Sequence, residues 1–146
     1  MRAHPLVIGF LQRAVNHEFN AVQQYTLQAV RAETLGLNRL AAELRAGCLE
    51  EIQHAEVLIG RLYALGATPR VGQPRAPQVG RTRAEMLRFG LATEGDAIRL
   101  YEEACTFCKR IGDEEHRALF ARILADEMRH YKELERAISA LEFENA

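Results

Sequence analysis

The chain has 146 residues, enough for one domain with a sizeable core, and residues 1–146 are read as a single domain. With 48% hydrophobic and 27% charged residues and a net charge of −1, it reads as soluble and globular, with neither the basic excess of a nucleic-acid binder nor the polybasic cluster of a membrane-surface protein. No apolar run approaches the ~20 residues of a membrane span, the N-terminus MRAHPLVIGF has no signal-peptide pattern, and three cysteines do not suggest a disulfide framework, so the expected compartment is the cytoplasm.

The first helix is expected from about Pro5, since proline suits a first helical turn. Its apolar stripe is Val7, Phe10, Leu11, Ala14, Ala21, Val22, Tyr25 and Ala29, a helical period that Glu18 interrupts. Leu35-Gly36 should end it. The second helix runs from about Asn38 to Leu65, with Leu40, Leu44, Cys48, Ala55, Leu58 and Leu62 on one face and Glu51 and His54 in the gap of that stripe. The segment ATPRVGQPRAPQVGRT follows. Its prolines (Pro69, Pro74, Pro77) and glycines (Gly72, Gly80) exclude regular helix, and it is the long connection of the chain. The third helix is expected from near Thr82 to Ile111-Gly112, with Met86, Leu87, Leu91, Ile98, Tyr101, Cys105 and Cys108 on its stripe and Glu94 among them. The fourth follows Asp113, an N-cap residue type, and carries Leu119, Phe120, Ile123, Leu124, Tyr131, Leu134, Ile138 and Leu141 around Glu127 and His130. Four helices of about 28 residues are each about 40 Å long at ~1.5 Å per residue. The expected fold is all-α: two antiparallel helical hairpins joined by one long crossover, the ferritin-like four-helix bundle.

Glu127-Met-Arg-His130 and Glu51-Ile-Gln-His54 are two E-x-x-H motifs. On a helix, residues three apart share a face, so each motif aims a carboxylate and an imidazole the same way. Glu18 and Glu94 add one carboxylate from each remaining helix. Glu18 precedes Glu51 by the same interval as Glu94 precedes Glu127, so all four reach one level of two stacked hairpins. Four ionised carboxylates in an apolar core cost several kcal/mol each after relaxation. Two divalent cations would cancel their charge, and oxygen plus imidazole donors suit iron, manganese or zinc. This is the ligand set of a di-metal carboxylate site: Glu18, Glu51, His54, Glu94, Glu127 and His130. Cys105 and Cys108 form a C-x-x-C inside a helix and read as small core residues rather than a redox pair. His4, His17 and His116 lie outside the constellation and are expected to be solvated.

The segments HPLVIGFLQRAVNHEFNAVQQY, LEEIQHAEVLIGRLYALGATP, RAEMLRFGLATEGDAI and ILADEMRHYKELE resemble the bacterioferritins of the ferritin superfamily, over nearly the whole chain. The resemblance implies a ferroxidase that oxidises Fe²⁺ with O₂ or H₂O₂ and stores the product as a ferric mineral. It implies two iron ions per chain, Glu18 and Glu94 as terminal ligands, Glu51 and Glu127 as bridges, and His54 and His130 completing the set. Tyr25 matches a tyrosine beside the family's centre, where it relays an electron or proton or simply packs in the core. The family binds haem through a methionine just after the bridging glutamate; here that residue is Ile52, so no haem is expected. Leu58 stands where the family often has tyrosine. Met86 and Met128 read as filler. The expected assembly is a homo-oligomer, at least a dimer, up to the family's 24-subunit cage. Outward apolar residues Leu27, Val30, Ile52 and Ile59 provide its contact surface. The chain ends at Ala146, before the family's usual short fifth helix, so a cage channel lined by that helix elsewhere is expected to be wider here. Two other readings remain: a peroxide-reducing di-metal oxidoreductase of the rubrerythrin type, and a subunit that binds metal only for structure.

Overall fold

In the computed structural model, which describes residues 2–72 and 75–144, four helices appear in the expected order: α1 Pro5–Thr34, α2 Asn38–Ala64, α3 Arg83–Ile111 and α4 Glu114–Glu144. No strand occurs among the described residues. Pro74 and Ala146, both used in reading the sequence, lie outside them. The helix ends follow from local chemistry. Pro5 opens α1, and the His4 ring accepts a hydrogen bond from the Leu6 N–H at 3.0 Å. Thr82 caps α3 by accepting from the Glu85 N–H, and Asp113 caps α4 by accepting from the His116 N–H, each at 3.1 Å. Gly36 and Gly112 take the left-handed conformation, with φ of 75° and 74°, and the chain reverses after each into the next helix.

α1 packs on α2 and α3 on α4, and the two hairpins meet most closely through α1 and α3. Because α2 ends at the level where α3 also finishes, the crossover must climb the length of the bundle. It does so along α1, held by amide side chains spaced one or two turns apart on that helix. The Gln12 amide accepts from the Arg70 N–H at 2.7 Å and donates to the Arg70 carbonyl. Asn16 accepts from the Gly72 N–H, Asn20 from the Arg75 N–H at 3.1 Å, and Gln28 donates to the Val79 carbonyl at 3.0 Å. A segment with no ladder of its own thus has peptide groups satisfied by side chains of α1.

The apolar core is in two parts. One contains Val7, Leu11, Leu58, Leu62, Tyr101, Phe107, Phe120 and Ile123. The other contains Ala32, Leu40, Ala41, Met86 and Leu87. Between them lie the four buried glutamates. Leu91 and Ile98, read as core positions, are only half-buried, as are Ile52 and Ile59, whereas Leu27 and Val30 are exposed.

A Cβ added at Gly112 meets nothing within 4 Å, so its cost is that of the left-handed backbone alone, about 1–2 kcal/mol. Gly112→Ala is expected to lower the melting temperature by roughly 3–6 °C. Metal content, set far from the turn, should not change; thermal melts and metal analysis of the same preparation check both.

Candidate metal centre

Each helix delivers its carboxylate inward at one level. Glu18 on α1, Glu51 on α2 and Glu127 on α4 are 0% exposed, and Glu94 on α3 is 2% exposed. With the two histidines they form two overlapping donor groups: Glu18, Glu51, His54 and Glu127, and Glu51, Glu94, Glu127 and His130. Within each group the donor atoms all lie within 4.8 Å of one another. His54 Nδ1 is 3.1 Å from Glu127, 3.6 Å from Glu18 and 3.7 Å from Glu51. His130 Nδ1 is 3.7 Å from Glu51 and 3.8 Å from both Glu94 and Glu127. Glu51 and Glu127 belong to both groups and Glu18 and Glu94 to one each. Two cations side by side would therefore share the first pair.

The inner atoms lack other work. Both oxygens of Glu51 and of Glu127, one oxygen each of Glu18 and Glu94, and His54 Nδ1 are buried without a well-formed hydrogen bond. An unmet buried polar group costs about 1–3 kcal/mol, and seven in one layer is a large debt for a chain of this size. Oxygen and imidazole donors around two cations remove it, so the residues present fit a di-metal group of iron, manganese or zinc.

The outward-facing atoms are fully engaged, in a pattern that crosses between hairpins. The Tyr25 hydroxyl on α1 donates to Glu94 on α3, and the Tyr101 hydroxyl on α3 donates to Glu18 on α1, both at 2.5 Å. His54 Nε2 on α2 bonds Asp126 on α4 at 2.8 Å, and His130 Nε2 on α4 bonds Glu50 on α2 at 2.6 Å. A carboxylate on the outer nitrogen holds each ring with Nδ1 towards the centre, where a cation can take it.

All six candidate ligands and Tyr25 are brought together. Tyr101, Asp126 and Glu50 complete the centre but were not singled out in the sequence, Tyr101 having been read as core. A signal existed: one offset in residue number carries Glu18 to Glu94, Tyr25 to Tyr101, Glu50 to Asp126, Glu51 to Glu127 and His54 to His130. His116, expected in solvent, is instead 3% exposed. Its Nδ1 bonds Asp113 at 2.8 Å, and its Nε2 accepts from Arg61 Nε at 2.9 Å, which ties the start of α4 to the end of α2. Cys105 and Cys108 are free thiols, and burial pushes Cys108 up to about 11, away from thiolate chemistry.

Without a cation the layer is held by protons. Burial, then the carboxylates of Glu18 and Glu127, push Glu51 far above the ordinary carboxylate range. Burial and the neighbouring Glu127 push Glu94 to about 11. Burial would lower His54, but Glu127 and Glu18 outweigh it and raise the ring to about 11. Burial would raise Glu127, yet Glu94, His54 and Glu51 around it bring it to about 2. Burial and the adjacent glutamates keep both Tyr25 and Tyr101 well above the ordinary phenol value, so each stays a hydrogen-bond donor.

A sequence model of the ferritin family, described as a ferritin-like domain, matches residues 8–143. The bacterioferritin of Rhodobacter capsulatus is 33% identical over 139 residues, covering 95% of this chain and 86% of that protein. A bacterial ferritin of Synechocystis is 32% identical over 143 residues, covering 97% and 92%. Among solved structures, the Rhodobacter capsulatus bacterioferritin superposes with a TM-score of 0.94 at 32% identity, covering 97% of this chain and 89% of that one. That structure has a metal-free dinuclear site and a haem iron in a crystallographic special position. The Mycobacterium tuberculosis bacterioferritin gives 0.93 at 27% identity with the same coverage.

The proton-held layer has a signed consequence. Glu94 rises from an ordinary 4.5 to about 11 and His54 from 6.5 to about 11 on folding, so their stabilisation is full below the ordinary values and is lost as pH climbs towards 11. Glu127 contributes oppositely, but its loss falls between 4.5 and about 2. The chelated protein is thus expected to melt progressively lower from about pH 5 to about pH 9. A bound cation displaces the same protons, so Zn²⁺ should raise the melting temperature more at the upper end. At a hundredfold excess over Kd the gain is about 2.7 kcal/mol, or roughly 5–10 °C. Melts of chelated and Zn²⁺-loaded protein across this range check it, and a chelated protein that gains stability with rising pH would contradict it.

Proposed function

The chain belongs to the ferritin family, alongside the bacterioferritins, and on that premise we propose that it is a ferroxidase serving iron storage and detoxification. The observation that carries the reading is the pair of overlapping donor groups sharing Glu51 and Glu127, with inner oxygens that no protein donor satisfies. The chemistry that two ferrous ions would supply there is a two-electron reduction, one electron from each: O₂ with two protons would leave as H₂O₂, or H₂O₂ with two protons as two waters. Glu18 and Glu94 would each hold one ion, and Glu51 and Glu127 would be shared by both. His54 and His130 complete the set.

The chain's own residues prepare that step. Tyr25 and Tyr101 fix the carboxylate planes of Glu94 and Glu18 through their hydroxyls. Asp126 and Glu50 keep the imidazoles aimed inward. Glu51, Glu94 and His54 give up protons as cations enter, so loading is coupled to proton release. Tyr25, held well above the ordinary phenol value by burial and the adjacent glutamates, keeps its proton and offers it to Glu94 as a hydrogen bond.

Ile52 follows Glu51 at the position where bacterioferritins ligate haem, and its aliphatic side chain has no donor atom. The chain is accordingly read as haem-free. The assembly is read as at least a homodimer, and a 24-subunit cage as its storage form. Leu27 and Val30 of α1 and Leu49 and Val57 of α2 are 43%, 50%, 62% and 51% exposed, an apolar surface suited to a second copy.

Anaerobic titration with Fe²⁺ or Co²⁺ is expected to saturate at about two ions per chain. Glu51→Ala and Glu127→Ala should each remove more binding than Glu18→Ala, because a bridge serves both ions. Tyr101→Phe should keep the stoichiometry but weaken binding or slow aerobic Fe²⁺ oxidation by about 10-fold, the usual cost of losing an outer partner. Unchanged metal content in both bridge variants would refute the site.

Haem reconstitution is expected to yield no Soret band at a stoichiometry of one haem per pair of chains. Absorbance after removal of free haem measures this directly.

A further inference from the structure

The centre is nearly symmetric in its ligands and markedly asymmetric in its surroundings. A cleft of about 400 Å³ opens between α2 and α4 and ends on Tyr25, Glu94 and His130, which all belong to one half of the centre. Leu44, Gly47, Met86, Gly90, Leu134 and Ala137 line its throat. The offset that relates the two halves identifies the mirror positions: Phe120 for Leu44, Ile123 for Gly47, Phe10 for Met86 and Arg61 for Ala137. Phe120 is 0% and Ile123 4% exposed, and Phe10 packs against the same apolar cluster. Arg61 is bonded to His116 and Glu115. At the Glu18–His54 half, large side chains fill the volume. At the Glu94–His130 half, smaller ones leave it hollow.

The chemistry of the hollow selects its guest. The throat is aliphatic. The acids at its rim are already paired, Glu43 with Arg39 at 3.2 Å, and Glu50 and Glu133 with Arg129 at 3.0 and 3.5 Å. A cation or anion going past that rim would leave water for the aliphatic throat, where Leu44, Gly47, Met86, Gly90, Leu134 and Ala137 offer no counter-charge. Hydrogen peroxide would leave its hydrogen bonds to water unreplaced. Dioxygen and other small neutral apolar molecules have none to lose, and apolar cavities bind such guests.

We propose that the cleft between α2 and α4 is a binding passage for small apolar molecules, and that it delivers dioxygen to the Glu94–His130 half of the centre. The binding of apolar guests stands on geometry alone; the identity of the delivered molecule rests on the ferroxidase reading. That reading left the oxidant open between O₂ and H₂O₂, and the cleft distinguishes them. Dioxygen depends on this route and peroxide does not.

The test fills the hollow with the residues that fill its mirror image. Leu44→Phe with Gly47→Ile closes it from α2, and Met86→Phe closes it separately from α3. A Cβ at Gly47 meets only the Tyr25 ring at 4.0 Å, so the first substitution begins in open space. Xenon is the probe for the Zn²⁺-loaded protein, read by xenon NMR or by a pressurised crystal. Wild type is expected to bind xenon beside Gly47 and Leu134, and both filled variants to lose it. The KM for O₂ in Fe²⁺ oxidation should rise several-fold in the variants, with H₂O₂-driven oxidation and Zn²⁺ stoichiometry unchanged. Absence of xenon from the wild-type cleft overturns the proposal, as does an equal loss of O₂- and H₂O₂-driven rates in a variant that retains its melting temperature. Wild type that oxidises Fe²⁺ with neither oxidant defeats the ferroxidase reading and the dioxygen assignment together, while the xenon result still decides whether the cleft binds apolar guests. A double variant that fails to fold leaves the decision to Met86→Phe.

Discussion

Four glutamates, one per helix, meet at a single depth in a layer from which water is excluded. That layer constrains everything around it. A carboxylate there is tolerable only as a neutral acid, beside a cation, or bonded to a donor, and all three solutions are present or prepared. Tyr25 and Tyr101 donate to the outer oxygens of Glu94 and Glu18, protons reside on Glu51 and Glu94, and two groups of converging donors face inward. The layer also fixes the fold's register. A slip of one helix by a single turn, about 5.4 Å, would carry its glutamate into one of the two apolar clusters that flank the layer.

The same residues set proton binding and cation binding in competition. The protons that make the layer tolerable are the ones a cation must expel, so the interior is a competition between two kinds of positive charge. The histidines' outer nitrogens are bonded to Asp126 and Glu50 of the other hairpin, so each imidazole already turns Nδ1 towards the centre without a cation. The site is preorganised by contacts between hairpins. Neither hairpin alone holds a complete donor group.

Much of this was legible from spacing alone. Helix period, interrupted on each stripe by one glutamate, located all four helices to within a residue or two, because Gly36, Gly112, Thr82 and Asp113 act locally. The equal Glu18–Glu51 and Glu94–Glu127 intervals predicted the common level, since antiparallel hairpins convert distance from a turn into height. What escaped was whatever depends on contacts across hairpins. Tyr101 lies on an apolar stripe and looks like core until Glu18 is seen against its hydroxyl. Asp126 and Glu50 look like surface acids until a histidine of the other hairpin reaches them. His116 looked solvated because nothing in its own helix announces that Arg61, on another helix, covers it. The hollow beside Glu94 is invisible to any single stripe and emerges only when each lining residue is set against its mirror position.

The ladder of amides on α1 carries a consequence for how this chain can change over generations. Gln12, Asn16, Asn20 and Gln28 engage the backbone of the crossover at Arg70, Gly72, Arg75 and Val79, not its side chains. Most substitutions in that segment leave the peptide groups where they are and should be nearly silent, Gly72 excepted, where a Cβ would meet the Asn16 amide at 2.7 Å. Insertions and deletions are a different matter. The rungs that receive an N–H fall on non-proline residues, with Pro69 just before the first and Pro77 after the last, and proline has no N–H to give. Deleting one residue just after Pro69 would place that proline on the Arg70 rung, where no N–H would then reach Gln12. The crossover should therefore drift freely in composition across lineages while staying nearly fixed in length, the reverse of what is usual for an exposed loop.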